Sequence, residues 1–119
     1  MDHARAELPI EACGLLSGDL DAATIFHPAR NALGSPRRYD VHPEDLVRIV
    51  LEIESSGHEL VAVFHSHTST AAVPSPTDVR GADYRVPYLI ASLEAGSEPM
   101  LRAWWIDSGK VSEIPVRVA

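Results

Sequence analysis

The sequence lacks the features that mark several whole classes of protein. It has one cysteine, Cys13, in 119 residues, so neither a disulfide framework nor a Cys-x-x-Cys zinc knuckle can form within it. The formal net charge is −7 and no long basic run interrupts it. That argues against a nucleic-acid surface, which is built from clustered Lys and Arg. No stretch approaches the roughly 18 consecutive apolar residues of a membrane span, and the first residues lack the charged and apolar regions of a signal peptide. Internal repeats and low-complexity tracts are missing too. The expectation is a soluble cytoplasmic protein that meets neither nucleic acid nor membrane.

What is present suffices for one compact domain over residues 1–119, since 45% of the chain is hydrophobic and can bury a core. Residues 2–8 have helical propensity and are cut short by Pro9. Glu11 to Ser17 reads as a strand closed by Gly18-Asp19, with Ala23 to His27 as its hairpin partner and Pro28 to Tyr39 as a loop. Asp40 to Ser56 is the clearest helix: Pro43, Glu44 and Asp45 suit a first turn, Leu46, Ile49, Val50 and Ile53 recur at helical spacing, and Gly57 suits the stop. Glu59 to Phe64 is apolar and strand-like, and Pro76 to about Tyr84 is a short helix. Pro87 to Leu93, Met100 to Asp107 and Val111 to Val118 read as strands, the last two joined at Asp107-Ser108-Gly109-Lys110, a hairpin signal. The pattern is an α/β fold, a mixed sheet with helices packed on it.

The chemistry concentrates in HSHTSTAAVPSPTD, His65 to Asp78. His65 and His67 are two apart at the end of a strand, so their side chains leave the same face and both ring nitrogens can reach one ion. Asp78 supplies a third ligand after a loop. Three protein ligands leave a tetrahedral Zn²⁺ one open position, the arrangement of a catalytic site. A second reading of the same residues stands beside this one. Ser75-Pro76-Thr77-Asp78 is also a helix start, with Ser75 as N-cap and Asp78 in the first turn. Capping accounts for Ser75 and Asp78 without a metal but leaves the two histidines unexplained.

The full spacing, His65-x-His67, seven residues, Ser75, two residues, Asp78, with Glu11 upstream, resembles the signature of the JAMM (MPN+) zinc metalloproteases. Pro9-x-Glu11-x-Cys13-Gly14-Leu15-Leu16-x-Gly18 is similar to the glutamate-bearing strand of that family. The resemblance runs from about His3 to about Val118. It implies a single MPN/JAMM domain with a mixed curved β-sheet flanked by helices, in a three-layer architecture like that of cytidine deaminases. It also implies a preceding strand and longer helix that are missing here, so the N-terminus looks truncated.

The roles implied by the resemblance are specific. His65, His67 and Asp78 would hold zinc, Glu11 would act as general base and then acid, and Ser75 would donate to the oxyanion. Without the family, Glu11 reads as a solvated strand end. His-Ser-His-Thr, Pro-Ser-x-Thr-Asp-Val and Ser35-Pro36-x-x-Tyr39 look most like the short bacterial enzymes that release cysteine from a ubiquitin-like sulfur carrier protein ending in Gly-Gly. A deubiquitinase-like isopeptidase and a non-catalytic MPN scaffold are the alternatives.

Of the other candidates, Cys13 competes as a thiol nucleophile, against the commoner reading of a small buried residue beside Gly14. His3, His27, His42 and His58 have no ligand-spaced partner and read as surface residues. Trp104, Trp105 and Ile106 read as cover for the sheet. Asn31 to Tyr39 and Thr68 to Pro74 are the expected walls of a groove for an extended tail.

Overall fold

The computed structural model describes residues 1–19, 22–96 and 98–116. Its elements are α1 (Asp2–Ala6), β1 (Cys13–Asp19), β2 (Ala22–Ala29), α2 (Pro43–Ser56), β3 (Glu59–His67), α3 (Pro76–Arg80), β4 (Tyr88–Ser92), β5 (Met100–Asp107) and β6 (Lys110–Ile114). The strands form one mixed sheet in the order β2-β1-β3-β4-β5-β6. Among the described strands only β3 and β4 run parallel, and parallel neighbours need a crossover. The crossover here is the stretch that carries α3.

Period-two alternation along the strands sorts side chains onto two faces. Leu15, Val63, Ile90, Trp104 and Ile106 pack under Ile49 and Ile53 of α2. Phe64 and Ala91 face the other way, with Ala4 of α1 and Ala12. The sheet is therefore covered by a helix on each side, the three layers expected. His65 and His67 share the parity of Val63 and lie on the α2 side. Among the described residues, no helix is long and apolar enough to cross a membrane.

Several expected boundaries move, each for a hydrogen-bonding reason. Strand β3 does not stop at Phe64, because both its neighbours continue the ladder: Cys13 pairs with His65, and Ile90 and Ser92 pair with His65 and His67. The histidines thus lie within the strand. Strand β1 begins at Cys13 and not at Glu11, whose N–H donates instead to Ser35 O at 2.9 Å. Helix α2 begins at Pro43, not Asp40, since Asp40 N–H is held by Asn31 Oδ1 at 3.1 Å and His42 is the N-cap, its Nδ1 accepting from Glu44 N–H at 3.2 Å. Gly57 ends it with φ 75°, a left-handed cap that suits glycine.

Helix α3 ends at Arg80 with Gly81 as its cap, short of Tyr84, whose N–H donates to the Tyr88 hydroxyl. The β5–β6 hairpin forms as expected, Asp107 opposite Lys110, with positive φ at both Ser108 and Gly109 as a type I′ turn requires. The last strand ends at Ile114, and Val118 lies outside the described residues. Within α2, Ile49 and Ile53 are buried but Val50 is 41% exposed, so the apolar stripe is narrower than the spacing suggested.

Candidate metal centre

His65 and His67 are 1% and 4% exposed, and their Nε2 atoms stand 3.3 Å apart. Asp78 Oδ2 lies 3.2 Å from His65 Nε2 and 2.9 Å from His67 Nε2. The sheet register fixes the two rings, and the helix start fixes the carboxylate. Asp78 N–H donates to Ser75 Oγ at 3.1 Å while Ser75 N–H donates to Asp78 Oδ2 at 2.9 Å. This reciprocal cap aims the same oxygen that meets the imidazoles. Capping and convergence are one arrangement here, not alternatives.

The donor set fits a zinc ion. Tetrahedral donors about 2.0 to 2.1 Å from a metal stand about 3.3 Å from one another, close to the three observed separations of 3.3, 3.2 and 2.9 Å. His67 Nδ1–H donates to Ala71 O at 2.7 Å, which leaves its Nε2 lone pair facing Asp78, the tautomer a metal ligand needs. Lone pairs gathered on a carboxylate repel unless a cation or proton sits among them. Burial would raise the Asp78 carboxyl, yet hydrogen bonds with His65 and His67 hold it well below the ordinary carboxylate range. Burial pushes His65 down. It also opposes charging of His67, but the bonds to Asp78 and Ala71 O win and its value is raised.

Glu11 is 3% exposed, which corrects the reading of a solvated strand end. Burial raises its carboxyl from 4.5 to about 7, with His67 opposing and Asp78 assisting. Its Oε1 has no hydrogen-bond partner among the described residues. The backbone around it is fastened on both sides. Asn31 Nδ2 donates to Glu11 O at 3.0 Å, and Ala12 N–H donates to Ser66 Oγ at 2.8 Å. Ser66, between the two histidines and on the opposite face, thus ties the Glu11 segment to β3.

Glu11, His67 and Ser75 line one cavity of about 260 Å³ with Arg37, Thr68 and Thr70. Both expected wall segments contribute to it, and Thr68 Oγ1 donates to Pro36 O at 3.0 Å, linking them. Ser75 Oγ accepts from Asp78 N–H, so its own proton is free to donate into the cavity. Sequence reasoning missed the supporting contacts. Asn31 is 8% exposed and organises its loop, accepting from Leu33 and Asp40 N–H and donating to Arg38 O. A polar residue between the two histidines and an Asn opening a Pro-rich loop were the only signals available.

Other candidates fall elsewhere. Cys13 is fully buried, its Sγ directed to Ala29 O and Arg30 O at 3.8 and 3.5 Å, and burial first and nearby carboxylates second push its thiol up to about 12. A thiol so placed is no nucleophile. His27 is not a surface residue: it is 8% exposed, with Nε2 2.7 Å from Ser17 Oγ and Nδ1 3.3 Å from Glu52 Oε2, tying the first hairpin to α2. Trp104 is buried in the sheet cover as expected, its indole N–H donating to Ala72 O at 2.9 Å.

A mixed sheet that delivers two buried strand histidines to a helix-start aspartate, with a buried glutamate alongside, is the architecture of a JAB-type domain. Residues 1–107 match the family described as prokaryotic homologs of the JAB domain, and the chain belongs to it. It is 41% identical over 100 residues to a desampylase of Haloferax volcanii, covering 77% of this chain and 72% of that one. It is 35% identical over 119 residues to the CysO-cysteine peptidase of Mycobacterium tuberculosis, covering 98% of this chain and 82% of that one. A solution structure of a Desulfitobacterium hafniense protein matches the fold with a TM-score of 0.85 at 34% identity, over 95% of this chain and 81% of that chain.

Proposed function

We propose that this protein is a zinc-dependent peptidase of the cytoplasm. On this reading it hydrolyses the amide bond after the C-terminal Gly-Gly of a ubiquitin-like sulfur carrier protein and releases cysteine. The observation that carries the reading is the convergence of His65 Nε2, His67 Nε2 and Asp78 Oδ2 beside a cavity that Glu11 and Ser75 share. The similarity to a CysO-cysteine peptidase along 98% of the chain supports the choice of substrate.

His65, His67 and Asp78 would hold the ion. Zinc bound there supplies Lewis-acid polarisation of a carbonyl and lowers the pKa of an attacking water towards about 7. The rest is the work of this chain. Glu11, with its carboxyl near neutrality, takes a proton from the water and passes it to the departing nitrogen. Ser75, its Oγ lone pair occupied by Asp78 N–H, turns its hydroxyl hydrogen to the developing oxyanion, a contribution of about 2.7 to 4 kcal/mol by comparison with other such donors. The water oxygen ends in the new glycine carboxylate. Two glycines thread a narrow approach because they carry no side chain to clash.

The 41% identity to a desampylase favours a second reading, an isopeptidase that cuts a carrier from a protein lysine. One experiment separates them. The zinc-loaded protein is incubated with a carrier ending in Gly-Gly-Cys and, separately, with a carrier joined to a lysine side chain, each followed by intact mass. Loss of one cysteine residue from the first, blocked by a chelator, is the expected result. Cleavage of the lysine conjugate alone moves the protein to the isopeptidase reading, and cleavage of neither removes both.

A further inference from the structure

We propose that Arg37 recognises the free α-carboxylate of the leaving amino acid, which makes the site selective for conjugates whose departing amine belongs to a C-terminal residue. This deepens the peptidase reading and rests on it. The placement follows from the proton that the leaving group needs. Glu11 must reach the departing nitrogen, so the leaving group occupies the cavity that Glu11 lines. The neighbouring cavity, of about 300 Å³, is lined by Tyr39, Asp40, Asp78, Asp83, Tyr84 and Tyr88 among others, and Glu11 does not reach it. Its acidic groups, with no Lys or Arg among the described residues of its wall, also make it hostile to an anion.

Covalent geometry then fixes where the carboxylate lies. In an amino acid the carboxyl carbon stands about 2.5 Å from the amine nitrogen, so a carboxylate on the leaving group shares the same 260 Å³ space as Glu11. A second carboxylate beside a buried one is costly without a cation. Apart from His67, Arg37 is the one cationic side chain among the described residues on that wall. Like the exposed Arg5, Arg38, Arg80 and Arg85 it forms no ion pair among the described residues, whereas Arg30, Arg48 and Arg102 are each paired with an acidic side chain; its place on the wall that Glu11 lines sets it apart. An exposed guanidinium on the rim of a cavity whose other lining is one carboxyl, one imidazole and hydroxyls is a group free to take an anion that enters it.

The loop holds Arg37 there. Its N–H donates to Ser35 Oγ at 3.1 Å, and the preceding Pro36 O accepts from Thr68, so the backbone of the loop is fastened to the facing segment of the cavity while the Arg37 side chain stays exposed. A guanidinium fork pairs with a carboxylate through two parallel hydrogen bonds. A lysine side chain in a protein conjugate offers no carboxylate near its nitrogen, because four methylenes separate the amine from its backbone. Arg37 therefore distinguishes a terminal amino acid from an isopeptide-linked protein.

The test uses the zinc-loaded full chain carrying Glu11→Gln, which keeps peptides intact, with and without Arg37→Gln. Binding of the peptide Gly-Gly-Cys with a free carboxylate is compared with that of its C-terminal amide by calorimetry. With Arg37 present the acid binds about 10- to 100-fold more tightly than the amide, the range of a charge-assisted hydrogen bond. With Arg37→Gln that ratio collapses towards one, and Arg37→Lys restores part of it. Equal binding of acid and amide with Arg37 in place, or a preference that survives Arg37→Gln, overturns the assignment. Zinc content and circular dichroism of each variant exclude misfolding. The binding ratio is read without turnover, so it decides the role of Arg37 even if the carrier experiment above removes the peptidase reading.

Discussion

Tyr39 lies flat against His65, their ring centroids 4.4 Å apart and their planes 17° from parallel. His65 Nδ1 has no hydrogen-bond partner among the described residues, so ring packing orients His65 where a hydrogen bond to Ala71 O orients His67, though it selects no tautomer. A ligand imidazole held in one plane loses less freedom on binding a metal.

If His65 holds zinc as proposed, removing that ring loosens its hold. Tyr39→Leu is expected to weaken zinc retention by about 10-fold or more, the scale of outer-shell changes, while Tyr39→Phe stays close to the parent protein. Competition with a chromogenic chelator measures both. Equal retention in Tyr39→Leu removes any role for the stack.

Glu11 makes the stability of the chelator-stripped protein depend on pH. An unfolded glutamate titrates near 4.5, while burial holds the folded one up to about 7. Between those values the folded chain carries the extra proton, so stability is full below 4.5 and falls as pH rises through about 7. Glu11→Gln deletes this slope. Denaturation of both proteins at pH 5 and pH 8 should show the variant gaining on the parent at the higher pH by on the order of 1 to 3 kcal/mol. Parallel behaviour would count against a buried, proton-holding Glu11. In turnover, Glu11→Gln should cost about 100- to 10,000-fold with zinc retained.

Cys13 should be chemically silent. The thiol is enclosed and pushed up to about 12, so an alkylating reagent leaves the native protein unmodified and Cys13→Ala retains metal and turnover. Rapid inactivation of the folded protein by iodoacetamide, tracked by mass and rate together, contradicts this.

Asp45 anchors the start of α2 to the end of β2. It accepts from Arg30 N–H at 2.7 Å and from the guanidinium at 3.0 Å through both oxygens, and hydrogen bonds with Arg30 hold its carboxyl down to about 2. Its contribution is present above the unfolded value near 3.8 and is lost as pH falls through about 2. Asp45→Asn is expected to cost about 1 to 2 kcal/mol, moderated because the Arg30 side chain is 59% exposed. A thermal melt at pH 7 and at pH 2.5 checks it: the gap between parent and variant narrows at the lower pH.

Much was legible in the chain because the signals were local. Periodicity placed α2 and the strands, the Asp107 to Lys110 turn announced its hairpin, and Ser75-Pro76-Thr77-Asp78 announced a helix start. These depend on residues within one turn or one pleat of each other, so order along the chain is enough. The strand spacing of His65 and His67 put both rings on one face for the same reason.

What the chain alone left open depended on partners distant in sequence. Glu11 changes from a solvated strand end to a buried carboxyl because Asn31 and Ser35 pin its backbone across 20 and 24 positions of sequence and Ser66 pins the next residue, Ala12, across 54. His27 is buried because β1 and α2 close over it, and Val50 is exposed because the sheet meets only part of the α2 stripe. The capping oxygen of Asp78 points at the imidazoles because the crossover between parallel strands returns α3 to the end of β3. Local rules select the elements, whereas desolvation, convergence of charges and the shape of a cavity exist only once those elements are packed.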